Sequence, residues 1–134
     1  MLRSIAAVLA GLVVTIVLVM VLTYLAGMIA GVGPTSPPTT LYLVLNLVGG
    51  VIAGASGGAT AVRLAPHTPH GHVWALAFVV LLLSLPTLFS APSPGQPEWY
   101  GAVLSVLGPV SVLLGGVAAA RARRAREANV LVEP

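Results

Sequence analysis

The sequence predicts an all-α protein, a bundle of four transmembrane helices, and three observations predict it. Of 134 residues, 57% are hydrophobic and only 7% charged, against roughly a quarter charged in soluble domains. Four apolar runs, near 5–30, 41–62, 73–89 and 100–120, each approach or exceed the length needed to cross about 30 Å of hydrocarbon. All six arginines fall on one side of the four-pass arrangement that these runs define. Lipid cannot satisfy an open backbone, so the runs must be helices. Residues 1–134 then form a single transmembrane domain, with 121–134 as a basic tail.

The first run has a basic flank at Arg3 and small residues after it, as a secretory signal would. A signal core holds about 7 to 15 apolar residues, whereas Ile5 to Ala30 is interrupted only by Thr15, Thr23 and Tyr24, so it is read as a retained helix. The connections alternate in character. GVGPTSPPTT and APSPGQPEW are proline-rich and carry no basic residue, while RLAPHTPHGH holds Arg63 and three histidines. By the positive-inside rule the arginine side is cytoplasmic, which places both termini there and the proline-rich loops outside. Pro86 and Pro109 fall inside the third and fourth runs, with Ser84 and Ser105 as candidates to recapture the carbonyls that proline frees.

The second run carries Gly50, Gly54 and Gly58 in one row and Gly49, Ala53, Gly57 and Ala61 in a second. Rows of small residues let two helix backbones touch, and in lipid such close contact drives association. The fourth run has a thinner version: Gly108 with Gly116, and Ser111 with Gly115 and Ala119. The second and fourth helices are therefore expected to cross near their cytoplasmic halves, within one chain or as a seam between copies. A shift of 58 residues aligns Gly57 and Gly58 with Gly115 and Gly116, Arg63 with Arg121, and Tyr42 with Tyr100. Two helical hairpins in parallel repeat are expected from it; convergence on common membrane residues is the alternative.

Polar residues inside the runs are few. Asn46 is the most polar of them and is a candidate for an interhelical hydrogen bond or for contact with a solute. No Asp, Glu, Lys, Arg or His lies within a run, which disfavours proton-coupled transport. Cysteine is absent, which excludes disulfides and thiol catalysis. His67, His70 and His72 could present imidazoles to zinc or nickel, but no carboxylate is near them, and a solvated turn is the simpler expectation. Arg63, Arg121, Arg123, Arg124 and Arg126 serve topology or contact lipid phosphate, and no nucleic-acid face is indicated. Glu98, Trp99 and Tyr100 fall where an interfacial aromatic belt is expected.

Through RSIAAVLAGLVV, GGATAVRLA, a histidine before the third run and the closing GGVAAARAR, the chain resembles a group of small four-helix bacterial membrane proteins with no assigned activity. The resemblance covers nearly the whole chain and implies a bacterial inner membrane. Two other small families fit poorly. Small multidrug transporters use a glutamate in the first helix, which this chain lacks, and the phenylalanine pair of fluoride channels has no counterpart around Phe78.

The expected function is that of a non-enzymatic structural or accessory subunit acting through helix packing, without cofactor or metal. Its partners would be membrane lipids and either a larger membrane complex or further copies of itself. The alternative is a homo-oligomeric channel or transporter with Asn46, Ser56 and Thr60 along its path.

Overall fold

The computed structural model describes residues 2–33, 35–65, 69–92 and 94–130. They form four helices: α1 (Leu2–Ala30), α2 (Thr40–Leu64), α3 (Pro69–Phe89) and α4 (Glu98–Val130). No strand occurs among the described residues. All four helices are long and apolar enough to cross a membrane, which makes the chain a multi-pass membrane protein by length and composition.

Each helix ends where local chemistry stops it. Gly31, at φ +65°, takes the left-handed position after α1, with Val32 N–H donating to Gly27 O at 2.9 Å and Gly31 N–H to Met28 O at 3.4 Å. This Schellman arrangement consumes carbonyls that would otherwise be orphaned. At the start of α2 the Thr39 hydroxyl accepts from Tyr42 N–H, an N-cap. α3 begins at Pro69, ahead of the apolar run, because a proline in the first turn has no N–H to leave unsatisfied. α4 opens on Glu98, whose charge suits a helix N-terminus. The fourth helix outruns its apolar stretch by ten residues, continuing as helix through the arginines to Val130. Alanine and arginine are strong helix formers and need no lipid to stay helical.

Packing centres on α2, which lies against α1 on one side and α4 on another, while α3 lies mainly against α4. Among the described residues no Cα of α1 comes within 8 Å of one in α4. The interior mixes a few large side chains, Tyr100, Leu76, Val62 and Val112, with many small ones. Inside are Ala53, Ala61, Ala77, Ala120, Ser105 and Ser111, whereas Met20, Met28, Ile29, Phe78 and Phe89 face outward. Lipid solvates large apolar side chains as well as the interior does, so much of the interior goes to residues that let helices approach.

Helices consecutive in the chain are antiparallel, and α2 runs parallel to α4. The proline-rich loops meet at one end, where a Cβ on Gly95 would lie 3.0 Å from the Pro37 Cβ. The arginines gather at the other end: Arg3 in the first turn of α1, Arg63 in the last turn of α2, and the remaining four on the final turns of α4. Across α2 and α4, Gly54 meets Ser111, Gly108 and Val112, and Gly58 meets Val112 and Gly116. Arg123 reaches Ala65 in the same register.

Candidate functional site

Three helices are tied together by a chain of polar side chains near the loop end. The Thr23 hydroxyl on α1 donates to Asn46 Oδ1 on α2 at 2.6 Å, and Asn46 Nδ2 donates to the Tyr100 hydroxyl on α4 at 2.7 Å. Asn46 thus uses both ends of its amide, one as acceptor and one as donor. Tyr100 is only 2% exposed whereas Trp99 is 54% exposed. The belt expectation therefore describes the outward ring and fails for Tyr100. Consecutive helical residues point about 100° apart, so a helix that turns Trp99 outward aims Tyr100 at α2.

A second clasp joins α3 to α4. Ser105 Oγ donates to Gly101 O at 2.9 Å within its own helix and also lies 3.1 Å from Ser84 O across the interface. Ser84 Oγ donates to Leu81 O at 2.8 Å, with a longer 3.4 Å approach to Ser105 O. Ser105 O is the carbonyl four residues before Pro109, the one that a proline leaves without its helical donor. The partner serine on α3 sits where it offsets that loss.

The glycines divide between partners. A Cβ on Gly54 would lie 2.8 Å from the Ser111 Cβ and 3.2 Å from Gly108 O, and one on Gly58 would collide with Val112 O. A Cβ on Gly115 would strike the Ala55 backbone. These positions press α2 directly on α4. Gly57 belongs to the other row and faces α1, where a Cβ would run into the Thr15 hydroxyl and sit 2.7 Å from Gly11 O. Gly49 likewise faces Leu22 of α1. Gly108 and Gly116 serve two neighbours: Gly108 O lies 3.2 Å from a Cβ on Gly54 and Gly116 N 3.0 Å from one on Gly58 of α2, while their own open sides turn to Val80 and Val73 of α3. Gly116 lies about 100° around from Gly115, which turns its open side to α3, while Gly108 lies close to the Ser111 and Gly115 row and meets α2 with its carbonyl. Gly50 is the exception in its row, with nothing nearer than Leu104 Cδ2 at 4.0 Å.

At the arginine end, Arg123 spans two helices. Its Nη1 donates to Ala65 O, the C-cap of α2, at 3.2 Å, and its Nε to Glu127 Oε1 at 3.0 Å. A cation at a helix C-terminus meets the negative end of the dipole and satisfies an orphan carbonyl. Arg63, Arg121, Arg124 and Arg126 are exposed around it. Among the histidines, His67 and the His70 side chain lie outside the described residues, and His72 is half-buried in the first turn of α3. No group of three metal-ligating side chains occurs among the described residues.

Because α1 and α4 stand apart, a cavity of about 330 Å³ opens between the four helices at mid-depth. Thr15, Asn46, Gly50, Gly54, Ser84 and Gly108 form part of its wall. Ser56 and Thr60, expected on a path with Asn46, do not line it, and Thr60 Oγ1 donates to Ser56 O of its own helix. No family model, curated protein or solved structure matches the chain.

Proposed function

We propose that the chain is a non-enzymatic, multi-pass protein of a bacterial inner membrane that serves as a structural or accessory subunit, with both termini cytoplasmic. The observation that carries this reading is the commitment of its interior polar groups. Thr15, Thr23, Asn46, Thr60, Ser84, Ser105 and Ser111 each donate to helix backbone or to a side chain of another helix. Acid–base chemistry needs a positioned titratable pair, and a coupled transporter needs an ionisable group at membrane depth; the polar links between and within the spans come from the Asn46 amide, hydroxyls and the Tyr100 phenol. The resemblance to small four-helix bacterial membrane proteins points the same way. The gathering of arginines at one end supports the orientation through the positive-inside rule.

The chain is further read as two hairpins in repeat. What supports this is that positions 58 apart, Gly54 with Val112 and Gly58 with Gly116, come close across α2 and α4, near the register of a twofold axis along the membrane normal. Each glycine nonetheless lies nearest a residue one to four positions earlier on α4, Ser111 for Gly54 and Val112 for Gly58. The hairpins correspond to within one residue: Leu22 meets Gly49 in the first, and Val80 meets Gly108 in the second.

Extraction in gentle detergent, affinity capture and mass spectrometry test the accessory role. A stoichiometric larger membrane protein is the expected result. A lone homo-oligomer with a hydrated centre would overturn it in favour of a small channel or transporter.

A further inference from the structure

The cavity between the helices has a side entrance. Its exposed lining residues all come from two helices, Ile16, Val19 and Met20 of α1 and Leu83 of α3, while those from α2 and α4 lie deeper. The mouth therefore opens between α1 and α3. Toward the arginine end the slot is closed by Leu76, fully buried where α3 meets Gly11 of α1. Toward the loop end the Thr23–Asn46–Tyr100 chain crosses above it. From Leu12 to Met20 along α1 it runs about 12 Å, roughly parallel to the helices and so to the direction in which acyl chains already lie.

The wall tells what fits. Its hydroxyls are turned back on their own helices, Thr15 to Gly11 O and Ser84 to Leu81 O, and the Asn46 amide is held between Thr23 and Tyr100. A buried water needs two to four polar partners, so a slot of this character stays dry. A second helix, about 10 Å across with its side chains, is too wide for about 330 Å³. An unfilled space of that size would forfeit the close packing that protein interiors otherwise keep.

We propose that this slot is a binding site for one hydrocarbon chain of a membrane lipid, which enters sideways between α1 and α3 and lies against Gly50 and Gly54. The glycines have two jobs in the same row: Gly54 lets α2 touch α4, and Gly50 leaves room for the guest. The proposal requires the bundle to lie in a bilayer but does not depend on the accessory role.

The full chain, extracted from membranes in a nonionic detergent, is examined by native mass spectrometry and then titrated with dioleoyl phosphatidylcholine. That lipid is zwitterionic, so the arginine end contributes little to its retention. One phospholipid mass per chain is expected on the wild type. Gly50→Leu, whose side chain grows into the slot, is expected to cut the bound fraction about tenfold at limiting lipid, with an unfolding temperature equal to or above wild type. Val19→Trp plugs the mouth from an exposed position and is expected to act alike, so it decides the matter if Gly50→Leu does not fold. Equal lipid retention by folded variants, or no adduct on the wild type at saturating lipid, overturns the site. Recovery of the folded chain without detergent would instead overturn the membrane reading, and the site with it.

Discussion

The two halves of α2 hold their neighbours by different means. From Gly54 to Ala61 the helix is pressed between α1 and α4 so closely that a single added methyl at Gly57 or Gly58 meets backbone or hydroxyl. From Tyr42 to Gly50 the same helix stays close to α1 through Gly49 but stands off from α4 at Gly50, and Thr23, Asn46 and Tyr100 link the three helices with hydrogen bonds. The comparison teaches what sets helix spacing in a membrane. Where glycine permits, dispersion contacts between backbones hold the pair, and where side chains intervene, a polar link must reach across.

The largest effect should come from Gly58→Leu, because its Cβ alone would overlap the Val112 carbonyl and α2 and α4 would have to separate. Overpacking of this kind costs about 1–3 kcal/mol, occasionally more, and here the obstacle is backbone, so the upper end is expected. Thermal unfolding in detergent measures it, and an unchanged midpoint would refute backbone contact on that face. Gly54→Leu should follow with a smaller loss, since part of what it meets is the Ser111 side chain.

In the polar half, Asn46→Leu should destabilise by about 0.6–2 kcal/mol, the range for interhelical hydrogen bonds in membranes. A double-mutant cycle with Tyr100→Phe should return a coupling of about 0.6 kcal/mol. Additivity of the two changes would mean that the link contributes nothing.

Arg123→Gln is expected to cost about 0.3–1 kcal/mol through the lost C-cap and dipole interaction. Its signature is local, namely faster amide exchange over Val62–Ala65 with the other helices unaffected. Uniform acceleration would point to a general loss of stability.

Gly50→Ala is the smallest change and has the opposite sign. Its methyl enters open space, so relief of glycine's backbone entropy should stabilise α2 by about 0.5–1 kcal/mol. If Gly50→Ala and Gly58→Ala shifted the unfolding midpoint equally, the distinction between the two halves would collapse.

Much of the architecture was legible because membrane helices write their boundaries in composition. The runs of Leu, Ile and Val marked the spans, and the spacing of Gly54 and Gly58 marked a packing face. That α2 meets α4 was legible in their matching small-residue rows, but how the two rows of α2 divide between α1 and α4 was not. Gly57 and Gly58 are adjacent in sequence yet serve α1 and α4, and that division depends on the angle at which three helices come together. Asn46 stood out as a lone amide, but its partners lie 23 and 54 residues away, and neither Thr23 nor Tyr100 carries a local mark of the pairing. Arg123 was hidden among four similar arginines; only the level at which α2 stops selects the one that reaches its final carbonyl.

Because one row of α2 meets α1 and the other meets α4, synthesis from the N-terminus sets an order of events. The first hairpin can close through Gly49 and Gly57 as soon as residue 64 has emerged. The opposite row, with Gly54 and Gly58, must then wait until the ribosome has delivered α4, a delay on the order of seconds at ordinary elongation rates. Throughout that interval a sticky seam faces lipid with its own mate not yet made, and a nascent neighbour carrying the same seam competes for it.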